Sequence, residues 1–265
     1  MLNEERVQRA AQILGDCRLS GKNIDALPKL CRPKNELEGY LVQEVLHEYI
    51  SHQNCDQVIG HKIGCTTPVM QKFLDIKNPC AGAVFGRSVH EREGSFGHQN
   101  YRHVGVECEI AVRIGSPLGK KGELYDIDEV TKSVSEIMAA IEVVDDRYTN
   151  YKTLGAPTLL ADDFFNAGCV LGHSVKDWRS LDLLNTSGVM RINGKEVGRG
   201  TGRDIMGQPM NALAWLANLF GSRGKCIDEG EFILLGSVVE AKWVEVGDIV
   251  EVEVKGLGGA KAIFC

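Results

Sequence analysis

From about residue 57 to the C-terminus the chain is a succession of short apolar runs broken by glycine, and that pattern limits what it can fold into. The runs are VIGHKIG (58–64), GAVF (82–85), ECEIAVRI (107–114), IEVVD (141–145), GCVLG (168–172), GVMRI (188–192), EFILLG (231–236) and DIVEVEV (248–254). Short apolar segments bounded by turn residues read as strands. Asn193-Gly194 accepts the positive φ angles of a tight turn, so a hairpin is predicted there. Two segments keep helical periodicity instead, DIDEVTKSVSEIMAA (126–140) and PMNALAWLANLF (209–220), with Pro209 suited to a first helical turn.

The N-terminal part has a different character. Val7, Ala10, Ala11 and Leu14 recur at helical spacing, as do Leu37, Leu41, Val45 and Tyr49, and together they predict two helices. Asn35 can cap the second, with Glu38 reaching back as in a capping box. The helices are segregated rather than alternating strictly with strands, so the predicted class is α+β. A helical N-terminal region at 1–55 precedes a strand-rich domain at 56–265, and no internal repeat or low-complexity tract is present.

Composition narrows the functional classes. The 265 residues suffice for one large domain or two small ones, and 43% hydrophobic with 25% charged residues is ordinary for a globular chain. The formal net charge is -6, without a dense basic run to track phosphates, so nucleic acid is not an expected partner. Nine cysteines are scattered without a CxxC, unlike a zinc ribbon or a disulfide framework. The N-terminal MLNEERVQRA is charged where a signal peptide is apolar, and no run approaches the roughly 18 apolar residues of a membrane span. These features predict a soluble, cytoplasmic, reduced protein with no membrane partner.

Within ECEIAVRI, Glu107, Glu109 and Ala111 share one strand face, while Val106, Cys108, Ile110 and Val112 share the other. Two carboxylates on one face are either half of a cation site or the wet side of an amphipathic strand. EVEV at 251–254 sets Glu251 and Glu253 in the same relation, so spacing alone does not separate the readings. A hard divalent cation needs more oxygens than a pair supplies, and Glu142 is the candidate third. It lies among Ile141, Val143 and Val144, where an unpaired charge is costly; a salt bridge is the alternative.

Lys62 has Gly60 and Gly64 as neighbours on its strand face. It is either an ammonium on an open pocket floor or a surface lysine on an edge strand. His61 points the opposite way and reads as a hydrogen-bonded core or interface histidine. VGRGTGRD (197–204) has three glycines but neither the strand-turn-helix context nor the ending of a phosphate loop, so a flexible loop near a ligand or subunit contact is predicted. Ser237 lacks a GxSxG elbow and reads as a turn hydroxyl bonding nearby backbone. Residues 215–218 belong to an apolar helix face and read as core.

Taken in order, GHKIGCTTPVMQ (60–71), VECEIAVRIGSPL (106–118), AAIEVVDDRY (139–148), ADDFFNAGCVLG (161–172), NALAWLAN (211–218) and GEFILLGS (230–237) make the chain resemble the 2-oxopent-4-enoate hydratase family, part of the fumarylacetoacetate hydrolase superfamily. The resemblance implies a mixed β-roll as the catalytic domain over 56–265, and Mg²⁺ or Mn²⁺ held by Glu107, Glu109 and Glu142. It implies a small 2-oxo or 2-hydroxy-dienoic acid substrate that chelates the metal through its C1 carboxylate and C2 oxygen, leaving about one position for water. The metal then stabilises an enolate; protonation at C5 gives a conjugated ketone, and water adds at C4 to yield a 4-hydroxy-2-oxo acid. Lys62 is implied in substrate charge stabilisation or proton transfer. Ser237 is implied in hydrogen bonding the substrate carboxylate, and Asp162 in orienting water or positioning the metal shell. A homo-oligomer is implied as well.

The chain also departs from that family. Many members read PDYG where this chain has PCAG (79–82), which puts Cys80 where an acid would assist proton transfer. Many read DNAS where this chain has Asp162-Asp163-Phe164-Phe165, and a histidine where Gln208 stands. The two phenylalanines would narrow the substrate pocket. A hydratase acting on a 2-hydroxy-2,4-dienoate is therefore the leading expectation. The alternatives are a 4-oxalocrotonate-type decarboxylase, an acylpyruvate hydrolase, and a non-catalytic subunit that stabilises a related decarboxylase or hydratase.

Overall fold

The computed structural model describes residues 2–119, 122 and 124–265. Two helices open the chain, α1 (Glu4–Ser20) and α2 (Glu36–Asn54). Asn35 caps α2 as predicted, its side chain accepting from the Glu38 N–H at 3.0 Å. The Glu38 carboxylate turns back to accept from the N–H groups of Lys34 and Leu2. The buried stripe of α2 is not the predicted one, for it runs through Gly39, Val42, Gln43, Leu46 and Ile50, while Leu37 is 51% exposed. Inward-facing polar and small residues explain the shift. The Gln43 amide donates to the carbonyls of Ala81 and Leu160 at 2.9 and 2.7 Å, and Gly39 lets α2 come up against the Pro157 carbonyl.

The strand-rich part comprises β1 (Val58–Gly64), α3 (Pro68–Leu74), β2 (Cys80–Phe85), β3 (Val89–Glu91), β4 (Glu93–Phe96), β5 (Val104–Ile114), α4 (Ile127–Ser133) and β6 (Val134–Asp145). It continues through α5 (Ala156–Ala161), β7 (Asn166–Leu171), β8 (Ser187–Ile192), β9 (Lys195–Thr201), α6 (Pro209–Ser222), β10 (Phe232–Trp243), β11 (Ile249–Val254) and β12 (Gly258–Phe264). A seven-stranded sheet has the order β2-β1-β10-β5-β6-β7-β3, and a five-stranded sheet the order β4-β12-β11-β8-β9. Both are mixed: β1/β10, β3/β7 and β12/β4 are parallel, and the other pairs antiparallel. The α+β class with N-terminal helices is as expected. The short strands β3 and β4 and the C-terminal β12 had no clear apolar run to announce them.

Alternation along β5 and β6 gives the large sheet two different faces. Val106, Cys108, Ile110 and Val112, with Ile137, Ala139, Ile141 and Val143, join the main core, which also takes Met190, Val250 and Val252 from the smaller sheet. The opposite face carries a separate buried cluster of Val84, Ala111, Met138, Ala140, Cys169, Leu171, Phe232 and Leu234. Ala111 and Ala140 lie in line with Glu109 and Glu142 on that face.

Two expectations fail here. The predicted helix over 126–140 ends at Ser133, after a capping box between Asp126 and Glu129, and the chain continues as β6. Met138, Ala139 and Ala140 favour helix intrinsically, but pairing with β5 from Ile114↔Val134 to Val104↔Asp145 buries them fully, and that context prevails. Residues 197–204, expected as a flexible loop, form most of β9 and a 3₁₀ turn behind the predicted hairpin, where Asn193 and Gly194 have φ of 52° and 77°. Its glycines serve close packing: a methyl at Gly198 would strike the Val239 side chain, and one at Gly200 the Val238 carbonyl of β10. Among the described residues, no helix is long and apolar enough to cross a membrane.

The β9 packing is testable by substitution. Gly200→Ala should lower unfolding stability by about 1–3 kcal/mol through overpacking. An unchanged midpoint in chemical denaturation would mean that β9 does not sit tightly on β10.

Candidate metal centre

Strand register builds the site. β5 and β6 pair so that Glu107 lies directly opposite Glu142, with Glu109 two residues along on the same face. One carboxylate oxygen from each of the three can be chosen so that all lie within 4.8 Å of one another. Two unit charges at 4.8 Å repel by about 3 kcal/mol at an effective dielectric near 20, so this crowding needs compensation.

Three groups supply part of it. Lys62 is not on an edge, since β1 lies between β2 and β10, and it is 3% exposed. Its Nζ stands 3.1 Å from Glu142 Oε1. The Asn166 amide donates to the same oxygen at 2.9 Å, and the Gly236 N–H donates to Glu109 Oε2 at 2.6 Å. Three carboxylates against one ammonium still leave negative charge in excess. Glu142 Oε2 is buried and has no hydrogen-bond partner among the described residues. An orphaned buried oxygen on a residue that clusters with two other carboxylates fits a divalent cation.

Proton affinities record the same crowding. Burial first, then the Glu142 charge, lifts Glu107 to about 7, with Lys62 opposing. Glu109 is raised well above the usual carboxylate range by burial and by both other glutamates. For Lys62, burial acts to lower the value, but Glu142, Glu107 and Glu109 outweigh it and hold the ammonium protonated.

The two glycines flanking Lys62 meet different surroundings. A Cβ at Gly64 would sit 3.1 Å from Lys62 Nζ and 4.0 Å from Phe164 Cβ, whereas the space beside Gly60 is filled by the Phe232 ring. His61 faces away, with Nε2 3.6 Å from Glu231 and its ring edge-on to Phe220. The internal comparison also resolves. Glu251 and Glu253 alternate outward along β11, exposed to solvent, and Glu253 pairs loosely with Arg191 at 3.4 Å.

Asp162 is fully buried, and its contacts are with arginines rather than with the glutamates: Arg147 Nε lies 3.2 Å from Oδ2 and Arg18 Nη1 3.6 Å from Oδ1. Asp163 accepts from Arg18, His47 and the Ala83 N–H. Burial works against its ionisation, yet these partners hold its carboxyl well below the usual range. The network pins a backbone turn in which Asp163, Phe164 and Phe165 all have left-handed φ, at 55°, 44° and 70°. Arg147 and Arg18 also donate to the Asn166 carbonyl, so the turn and both arginines fix the residue whose amide holds Glu142. Ser237 Oγ bonds backbone, at the carbonyls of Cys108 and Val239.

Asn166, Arg147, Arg18 and the Gly236 N–H escaped the sequence reading. Arg147 stood next to a flagged glutamate strand in DDRY, but its partners are distant along the chain. Asn166 carried a faint signal as a lone amide opening an apolar strand. The Gly236 N–H is backbone and has no signature.

A family model for the fumarylacetoacetate (FAA) hydrolase C-terminal domain matches residues 76–263. The chain is 27% identical over 263 residues to a 4-oxalocrotonate decarboxylase of Pseudomonas putida, covering 99% of this chain and 98% of the relative. It is 28% identical over 265 residues to a 2-keto-4-pentenoate hydratase of Paraburkholderia phymatum, covering 100% and 99%. Among solved structures, 4-oxalocrotonate decarboxylase from Pseudomonas putida G7, complexed with magnesium and adipate, superposes with a TM-score of 0.92 at 25% identity, covering 100% of this chain and 99% of that one. The glutamate-bearing sheet, the helices before it and these matches place the chain in the fumarylacetoacetate hydrolase C-terminal family.

Proposed function

We propose that this protein is a metal-dependent hydro-lyase that adds water to a 2-hydroxy-2,4-dienoate of the 2-oxopent-4-enoate type, giving a 4-hydroxy-2-oxo acid. The observation that carries the reading is the convergence of Glu107, Glu109 and Glu142 beside Lys62. Full-length similarity to 2-keto-4-pentenoate hydratases supports it. The three glutamates would hold Mg²⁺ or Mn²⁺, which supplies Lewis-acid stabilisation of charge on the substrate's C2 oxygen.

The chain's own residues do the rest. Lys62, held protonated by its neighbours, acts by fixed charge, drawing the anionic end of the substrate to the Gly64 side of the floor and stabilising negative charge there. Phe164 walls that side. Ser237 binds the substrate carboxylate by exchanging one of its backbone acceptors. Asp162 is a positioning residue: it holds Arg147, which with Asn166 fixes the orientation of Glu142.

Decarboxylation of 4-oxalocrotonate is the second reading, favoured by end-to-end similarity to the Pseudomonas putida decarboxylases. Purified protein with Mg²⁺ should deplete the ultraviolet absorbance of freshly generated 2-hydroxypenta-2,4-dienoate without releasing CO₂. Release of CO₂ from 4-oxalocrotonate, with the dienoate untouched, would select decarboxylation. Silence on both would refute the enzymatic reading.

Glu107→Ala should abolish metal-dependent turnover while Glu251→Ala leaves it near normal; equal effects would mean that the exposed pair on β11 had been misjudged. Lys62→Met should lower kcat by about 10²-fold or more while calorimetric Mg²⁺ binding persists, and a variant with full rate would remove Lys62 from the chemistry. Asp162→Asn should weaken Mg²⁺ binding by about tenfold. A raised KM with unchanged metal affinity would instead put Asp162 against the substrate.

A further inference from the structure

At the C-terminal end of β1, within reach of Lys62, two thiols meet. Gly64 pairs with Cys80 across the antiparallel β1–β2 ladder, and Cys65 follows it directly. The register therefore sets Cys65 one residue beyond the partner of Cys80, with the two thiols near enough to act on one another, and neither is in a disulfide. Their settings differ. Cys80 is 1% exposed, whereas Cys65 is half-buried. Cys65 has a left-handed φ of 57°, and its carbonyl accepts from Gln71 Nε2 at 3.0 Å, so β1 and α3 hold it from both sides.

The asymmetry extends to chemistry. The neighbouring Cys80 thiol and the charge of Lys62 favour the Cys65 thiolate against burial and the charges of Glu107 and Glu142, while the Cys65 neighbour and burial suppress ionisation of Cys80. Burial likewise pushes the thiols of Cys17, Cys31, Cys108 and Cys169 up. A half-buried nucleophilic sulfur next to a second, fully buried and protonated one is the arrangement in which a first oxidation is captured as a disulfide.

We propose that Cys65 and Cys80 form a site of reversible oxidative modification, in which a peroxide links them and an external dithiol releases them. The Cys65 sulfur attacks one peroxide oxygen and the O–O bond breaks. Cys65 becomes a sulfenic acid, and the departing hydroxide takes up a proton to leave as water. The Cys80 sulfur then attacks the Cys65 sulfur: an S–S bond forms, the S–O bond breaks, and the second oxygen leaves as water with the Cys80 proton. Two electrons pass from the sulfurs to the peroxide, and reduction by a dithiol returns both thiols as the dithiol closes to its own disulfide.

Two neighbours would register the bond. Thr66, next to Cys65, packs on Gly236, where an added Cβ would stand 2.7 Å from Thr66 Cγ2, and the Gly236 N–H is the donor to Glu109. Gly64, on the other side, floors Lys62. The thiol chemistry itself does not depend on the proposed reaction, so it is measured on the protein directly.

The full chain is treated with hydrogen peroxide at neutral pH, quenched with iodoacetamide, and examined by intact mass and peptide mapping. The expected result is loss of the mass of two hydrogens, a linked peptide pair containing Cys65 and Cys80, and reversal by dithiothreitol. Without peroxide, Cys65 should alkylate roughly tenfold faster than exposed Cys55. In Cys80→Ser, dimedone should label Cys65 and no link should form; in Cys65→Ser, Cys80 should stay unmodified. Cys65→Ser alone suffices should the Cys80 variant not fold. No Cys65–Cys80 link at peroxide levels that modify Cys55 and Cys265, or a link between other cysteines only, would overturn the assignment.

Discussion

Burial of the apolar face of β5 and β6 is the constraint on which the large sheet depends, and it holds Glu107, Glu109 and Glu142 together against their mutual repulsion. No strand chemistry favours like charges directly opposite one another. Their register on β5 and β6 is nonetheless imposed by the apolar face behind them, where Val106, Cys108, Ile110, Ile141 and Val143 are fully buried. A slip of one residue would turn the glutamates into that core. The hydrophobic effect therefore sets the geometry, and polar groups then adapt to it: a lysine two strands away, an asparagine amide and a backbone N–H, around a cluster that could hold a divalent cation.

The polar adaptation is layered. Charged side chains taken from water cost more than their pairing returns unless remaining valences are met. Here Arg147 and Arg18 meet Asp162, Asp163 and the Asn166 carbonyl. This second set of charges touches no glutamate. It holds three consecutive left-handed residues, and through them the orientation of one amide. Backbone strain at such a turn persists only where the surroundings over-determine it, and each arginine makes more than one bond to the turn.

Legibility in the sequence followed locality. Strands with strong alternation, the Asn193-Gly194 hairpin, the Asn35 cap and the helix starting at Pro209 rest on neighbouring residues and were readable. Residues 134–140 were not, because Met138, Ala139 and Ala140 suit a helix and only pairing with β5 and β7 decides otherwise. The three glutamates and Lys62 could be flagged as candidates, but their spacing was indistinguishable from that of Glu251 and Glu253; the family resemblance, not periodicity, separated them. The Asn166, Arg147 and Arg18 contacts span up to 148 positions in sequence, and no local pattern encodes that distance.

Arg18 has a consequence for where the functional unit begins. It is anchored on the first helix, outside the stretch that the family model spans, yet it supplies the guanidinium that Asp163 and the Asn166 carbonyl require. A trimmed chain starting near residue 76 would keep every acid of the cluster and lose the Arg18 guanidinium and the His47 ring that Asp163 accepts from, together with Lys62 itself. Evolutionary bookkeeping of domains and the physical extent of the candidate site do not coincide in this protein: its opening helices brace the turn behind the acids.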